Sequence, residues 1–444
     1  MDETLRHRHA KFHYQSLAEL RADIAEMALE IPLSAGRSLF AAPLTVAGRT
    51  IPNRLVIHPM EGFDATPDGA PGPLASRRYQ RYAAGGAGLV WAEATAILPE
   101  ARSNPGQFWL HAGNVDAYAR LVRDLRETAA KEHGHRPLLL LQLTHSGRYS
   151  KPAGKPTPLL AHHSPVLDPA MNLAPGVEPV SDDYLAALPA HFAESAKLAA
   201  QAGFDGVDLK CCHRYLLSEL LASHTRPGRY GGSFENRTRL LREALAAVRA
   251  AAPGLLLTVR MNAYDAIPHP YGFGMATDGS LAGDLSEPLE LIRQLRQLGV
   301  ELVNISIGNP YFQAHYGRPY DLPLRGLTSP AEHPLAGIER FVKITRAIQL
   351  EFPDLPIVGT GYSWLRQFLP DVAAGMLERG WASLIGIGRQ AFAYPDLPRD
   401  LLAHGAIRPE KCCVACSGCT QLMRDGVATG CVIRDSAHYS LRKR

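Results

Sequence analysis

The 444-residue sequence predicts an α/β chain folded as a (β/α)₈ TIM barrel, with a helical arm before it and a short cysteine-rich extension after it. Three observations predict this. Eight short β-like runs, rich in apolar residues, recur at 54–60, 88–95, 137–143, 204–210, 255–262, 301–307, 356–361 and 382–388. Segments with helical periodicity lie between them, at 116–131, 183–202, 236–252, 288–298, 338–349 and 365–379. Nearly continuous apolar strands alternating with helices imply a parallel sheet covered by helices, and eight such units fit a closed barrel. The third observation is that no G-x-G-x-x-G turn follows the first three runs, which an open doubly wound sheet would predict.

The barrel is expected over 39–405, after an arm at 1–38 and before an extension at 406–444. Within the arm, 16–29 has the spacing of one amphipathic helix, suited to packing on the barrel or on a partner subunit. Charged residues make up 20% of the chain and the net charge is +4, with no Lys/Arg-rich run, so no nucleic-acid partner is expected. No apolar run approaches the roughly 20 residues of a membrane span, and residues 1–15 lack the apolar core of a signal peptide. These readings make the chain cytoplasmic, and a homo-oligomer is expected.

The ends of the runs carry the chemistry. The first ends His58-Pro59-Met60-Glu61-Gly62, the second Glu93-Ala94-Thr95, and the third Gln142-Leu143-Thr144-His145. The fourth ends Lys210-Cys211-Cys212-His213-Arg214-Tyr215 and the fifth Arg260-Met261-Asn262. Titratable groups gathered where five successive strands stop mark the catalytic face of a barrel. At the seventh and eighth runs, Gly359-Thr360-Gly361 and Gly386-Ile387-Gly388-Arg389 are glycine-bearing turns. Such turns let backbone approach a phosphate, with a helix N-terminus behind it and an arginine beside it. One phosphate at the rim and a polar row across the mouth suggest a phosphorylated planar cofactor. Gln142 has a donor and an acceptor for a ring edge, and Arg260 a cation for charge developing on a reduced ring. Cys211 and Cys212 are expected to line this site.

Several segments, in order, resemble the old yellow enzyme family of FMN oxidoreductases. They are Asn53-Arg54 through Pro59-Met60, Gly86-Ala87-Gly88-Leu89 through Ala94-Thr95, Leu141-Gln142-Leu143 through Arg148, Ala202-Gly203-Phe204-Asp205 through Tyr215, Arg226-Pro227, Tyr230 through Arg237, and Gly388-Arg389 through Pro398. The resemblance implies that Pro59, Met60, Ala94, Gln142 and Arg260 contact the flavin ring and ribityl chain of FMN. It implies that Gly361, Gly388 and Arg389 hold its phosphate. By the same resemblance Lys210 and His213, read as cations, bind the carbonyl of a small-molecule substrate and Tyr215 donates a proton. NAD(P)H reduces the flavin, which passes hydride to an activated C=C bond of an unsaturated carbonyl or thioester. Two residues depart from the family pattern. Lys210 stands where the family usually has His, and would suit an anionic or thioester substrate; a surface ion pair is the alternative. Glu61 stands where Thr or Cys usually tunes the flavin; it is either protonated by burial or faces away.

Five of the seven cysteines fall within twenty residues near the C-terminus, which suits a metal or cluster site in a reducing compartment. Cys413, Cys416, Cys419 and Cys431 have the spacing of a 4Fe–4S ligand set, with Cys412 able to replace Cys413; tetrahedral zinc and free thiols are the alternatives. The motif also resembles the cluster loop of trimethylamine dehydrogenase and 2,4-dienoyl-CoA reductase, larger members of the family. Their further nucleotide-binding domains would correspond here to a separate electron-transfer protein, or NAD(P)H would bind at the barrel mouth. Two other readings stand beside this one: a non-flavin phosphate-binding aldolase or lyase with a Schiff base on Lys210 and a structural zinc, and a non-catalytic scaffold.

Overall fold

The computed structural model describes residues 3–441, so the outermost residues of the expected arm and extension lie outside it. Eight strands form a closed barrel: β1 Leu55–Ile57, β2 Leu89–Ala96, β3 Leu138–Thr144, β4 Gly206–Cys211, β5 Leu256–Asn262, β6 Val300–Ser306, β7 Ile357–Gly359 and β8 Leu384–Ile387. Each pairs in parallel with its sequence neighbour and β8 pairs with β1. All eight expected strands form, some shorter than their apolar runs, because several runs continue into the loops that build the mouth.

The period-two geometry of a strand explains how one near-continuous apolar run serves two surroundings. Val56, Leu89, Leu138, Leu140, Leu256, Leu302, Val358 and Leu384 form one apolar cluster inside the barrel. Their sequence neighbours Leu55, Ile57, Val90, Leu139, Leu141, Leu257 and Val303 belong to the larger cluster beneath the helices. A hairpin, Leu44–Val46 paired with Arg49–Ile51, adds Val46 and Ile51 to the interior cluster and so closes the N-terminal end of the barrel. Continuing upward in steps of two along the inward-facing positions of each strand reaches His58, Gln142, Asp208, Arg260 and Asn304. The interior is therefore apolar at the bottom and polar at the C-terminal ends of the strands.

The expected helices form, including Val115–His133, Asp182–Gln201, Phe234–Ala251, Ser286–Gln297 and Pro334–Glu351. The segment expected at 365–379 divides into a 3₁₀ stretch, Tyr362–Phe368, interrupted at Arg366 (φ 50°), and the helix Leu369–Glu378. Pro370 sits in the first turn of that helix, where its missing N–H costs nothing. In the arm, Ser16 Oγ accepts the Glu19 N–H and caps the helix Leu17–Glu26. The arm packs on the barrel, with the Phe12 ring 5.3 Å from Trp364 and its N–H donating to Asp321 (3.0 Å). Among the described residues no helix is long and apolar enough to cross a membrane.

Candidate active site

A cavity of about 480 Å³ opens at the C-terminal ends of the strands, within the size range that takes a cofactor or drug-sized ligand. Of the expected residues, Pro59, Met60, Lys210, His213, Tyr215, Arg260, Gly361, Gly388 and Arg389 line it together, although 330 residues of chain separate the first from the last. Ala94 and Gln142 do not line it. Ala94 is fully buried behind the wall, its carbonyl accepting from Gln107 Nε2 (3.2 Å). Gln142 is buried as well, and its Nε2 donates to Asp208 (2.5 Å). Cys211 and Cys212 are likewise buried in the wall, where burial pushes both thiols up, Cys212 to about 11; neither lines the cavity.

The wall holds polar atoms that no described residue satisfies. Gln142 Oε1, Arg260 Nε and Asn304 Oδ1 are buried without a hydrogen-bond partner. Each such atom costs about 1–3 kcal/mol unless a ligand or ordered water completes it. An acceptor edge on β3 and a guanidinium on β5 suit a ring bearing both donors and acceptors, so the residues present fit a flavin. Asp208 joins the two: it accepts from Gln142 and from the Arg260 backbone N–H (2.5 Å), yet burial pushes its carboxyl up to about 7.

Glu61 neither faces away nor stands alone. Lys210 Nζ donates to Glu61 Oε1 at 2.9 Å, and both side chains are nearly buried. Ser103 Oγ donates to Glu61 Oε2 (3.1 Å), and the Tyr215 hydroxyl to Oε1 (3.3 Å). The two departures from the family pattern are thus one ion pair, which compensates the carboxylate by a neighbouring cation. The Lys210 ammonium also lies 3.8 Å from the centroid of the Tyr215 ring. An ammonium engaged in this way is unlike the free amine a Schiff base requires, and it is no surface residue.

Tyr215 shares a 3.0 Å hydrogen bond with Tyr311, which stacks on Tyr149 with centroids 3.8 Å apart. Burial, then the Glu61 carboxylate, drives the Tyr215 phenol well above its usual range, so it keeps its proton. His213 occupies the left-handed region (φ 65°), its backbone N–H donating to Asn262 Oδ1 (3.3 Å) and its Nε2 lying 3.1 Å from Ser306 Oγ. Burial, then Arg260 and Lys210, holds its imidazole well below the usual range. The expectation of a cationic His213 is therefore corrected: a second positive group beside Arg260 and Lys210 loses its proton, and His213 is neutral.

At the other end of the cavity, Gly361 has φ 100°, and a Cβ there would stand 2.5 Å from the Phe341 ring. Behind β8 the helix Arg389–Ala393 has only five residues, and behind β7 the backbone is the interrupted 3₁₀ stretch. The turn after β8 thus leads into a helix as expected, though a short one with Arg389 at its first position, and the turn after β7 leads into a 3₁₀ stretch instead of an α-helix. Arg389 is nearly buried and donates to Pro319 O (3.0 Å). Sequence reasoning missed Arg318, which lies beside it in the loop after β6, as well as Tyr311 and Ser103. No motif marks these three; tertiary packing alone brings them to the cavity.

The extension is part of the site. Thr420, Met423 and Arg424, all from the helix Gly418–Arg424, line the same cavity, and Arg424 lies over Tyr311 (4.3 Å to the centroid). Cys413, Cys416, Cys419 and Cys431 line a second, small cavity, and Arg389 borders both. All seven cysteines are free. Among the described residues no group of three His, Cys, Asp or Glu side chains is gathered to hold a metal ion, so neither the zinc nor the iron–sulfur expectation is seen as a formed site.

Residues 38–282, more than half of the chain, match the NADH:flavin oxidoreductase / NADH oxidase family. An NADPH dehydrogenase of Halalkalibacterium halodurans is 29% identical over 266 residues, 59% of this chain and 71% of that protein. Two solved structures share the fold. The old yellow enzyme homologue of Zymomonas mobilis has a TM-score of 0.60 at 22% identity, covering 84% of this chain and 94% of its own. The complex of 2-naphthoyl-CoA reductase with 2-naphthoyl-CoA has a TM-score of 0.71 at 19% identity and covers 90% of this chain, which spans only 57% of that longer protein. The chain belongs to the NADH:flavin oxidoreductase / NADH oxidase family and is an oxidoreductase.

Proposed function

We propose that this chain is an FMN-dependent oxidoreductase that moves hydride from NAD(P)H, or from a redox partner, to an activated C=C bond of an unsaturated carbonyl or thioester. The observation that carries the reading is the buried Glu61–Lys210–Tyr215 network, set in one cavity with the unpartnered edge of Arg260. Bound FMN would supply hydride transfer in two half-reactions. Pro59, Met60 and Arg260 would hold its ring, with Gln142 presenting its free carbonyl oxygen from behind the wall, and Gly361, Gly388 and Arg389 would hold its phosphate.

The chain's own residues do the rest. Lys210, fixed by Glu61, presents an ammonium to a substrate carbonyl oxygen, and neutral His213 adds a hydrogen bond without a second charge. Tyr215, protonated at neutral pH, delivers a proton to the substrate carbon, and Tyr311 lies within reach to return one. Tyr215→Phe tests this. It is expected to slow substrate reduction by about 10²–10⁴-fold while flavin reduction by NAD(P)H proceeds at the wild-type rate. Equal loss in both half-reactions removes Tyr215 from proton donation.

The reading includes a 4Fe–4S cluster on Cys413, Cys416, Cys419 and Cys431. It is supported by their spacing and by their meeting around one cavity that shares Arg389 with the larger one. A separate electron-transfer protein would then be its partner.

A further inference from the structure

The loop after β6 carries a cation that the family resemblance did not assign. Arg318 Nη1 donates to Ser417 Oγ at 2.8 Å, while its Nε and Nη2 are buried without a partner among the described residues. Arg389 donates to the carbonyl of Pro319, the residue directly after Arg318, and both arginines line the end of the cavity where Gly361 and Gly388 lie. Neither guanidinium has a carboxylate within ion-pair distance among the described residues; Arg318 donates to a hydroxyl and Arg389 to a backbone carbonyl. Burial and the neighbouring Arg389 pull Arg318 down to about 10. Two adjacent cations with no counter-charge are costly in a low dielectric. A dianion between them reverses that cost, and the guanidinium fork matches phosphate oxygens in pairs.

The same loop is stitched to the cysteine segment. Besides the Arg318 bond, Ser417 Oγ donates to Leu322 O (2.6 Å), and the Asp321 N–H donates to Ala415 O (3.0 Å). Ser417 sits between Cys416 and Cys419 in the left-handed region (φ 58°), a conformation costly for a non-glycine residue unless its surroundings impose it.

We propose that Arg318 is the second arginine of the phosphate clamp for FMN, and that through Ser417 it transmits occupancy of that clamp to the cysteine loop. This rests on the flavin reading above. Arg318 is then a positioning residue that selects FMN over unphosphorylated riboflavin and orders the 413–419 segment when the phosphate is present.

The experiment strips flavin from the full-length protein and titrates it back with FMN or with riboflavin, following quenching of flavin fluorescence. Wild type is expected to bind FMN more tightly than riboflavin. Arg318→Gln should weaken FMN by about 10–100-fold, the worth of one charged hydrogen-bonding group, and leave riboflavin unchanged. Hydrogen exchange at 413–419 should slow on adding FMN to wild type, but not on adding riboflavin, and not in Arg318→Gln. Ser417→Ala, which keeps both arginines, should retain FMN affinity and lose the FMN-dependent protection. FMN binding unchanged in Arg318→Gln, or FMN and riboflavin weakened alike, overturns the clamp. Exchange at 413–419 indifferent to FMN in wild type overturns the coupling. A wild type that binds neither flavin refutes the flavin reading itself, whereas one that binds both equally leaves that reading standing and removes only the clamp.

Discussion

Glu61 and Lys210 show how two unusual residues become one arrangement. Each alone would leave a buried charge uncompensated; together, 2.9 Å apart, they hold an ammonium at a fixed place in the cavity. Removing one partner of such a pair costs about 3–5 kcal/mol, and replacing both by apolar residues of similar volume is close to neutral. Glu61→Gln is therefore expected to lower stability, and the double variant Glu61→Leu with Lys210→Met to recover it without recovering substrate reduction. Chemical denaturation alongside single-turnover kinetics checks both; independent, additive losses of stability would show that the two residues do not act as a pair. Asp208 makes a separate prediction. Its carboxyl is raised to about 7 by burial, so between the unfolded-state value near 4 and pH 7 the folded chain holds a proton that the unfolded chain has released. That proton is a stabilising term present at low pH and lost as pH rises through this window, by up to about 1.4 kcal/mol per pH unit. Glu93, also raised to about 7 by burial, adds to the same slope. Asp208→Asn should flatten the decline in unfolding free energy between pH 5 and 7, and an unaltered slope would place the titration elsewhere.

Among the elements, the strands were the most legible, because period-two burial and a parallel barrel both demand apolar residues on two faces. The upward step from Leu140 to Gln142, from Gly206 to Asp208 and from Thr258 to Arg260 carries interior positions from core to floor of the site, so polar residues at strand ends were readable as chemistry. The loops were not. Arg318 and Tyr311 lie in a long connection after β6 whose path depends on its contacts with the extension and the arm. Gly361 belongs to this scale, since its φ of 100° and the Phe341 ring leave no room for a side chain. Gly361→Ala should cost about 1–3 kcal/mol and reduce flavin retention, as read by thermal melting and by the absorbance of the purified protein. An alanine variant with wild-type melting and pigment would mean that the turn tolerates a side chain.

Across the whole molecule, arm, barrel and extension share their contacts. Asp435 bridges Arg77 and Arg81 of the helix Pro73–Ala84, and the Thr429 N–H donates to Gly62 O beside the cavity (2.6 Å). The boundary expected near residue 405 therefore separates stretches of sequence with different composition, while the cavity wall runs across it. Cys416→Ala is expected to abolish iron in protein reconstituted anaerobically with iron and sulfide, with FMN content retained because the flavin wall keeps Thr420 and Arg424. Iron at the wild-type level would reject the ligand set, and stoichiometric zinc would replace the cluster by a structural ion.

The sequence by itself determined the barrel, the mouth at which its polar residues gather and the family, because strand periodicity, strand-end chemistry and ordered motifs are properties of short segments. Only the tertiary structure decided that Glu61 neutralises Lys210, that His213 is uncharged, that Gln142 and Ala94 stand behind the wall, and that Arg318 joins Arg389. Charge states and partners depend on distances between residues far apart in the chain, and those distances exist only after the barrel has closed.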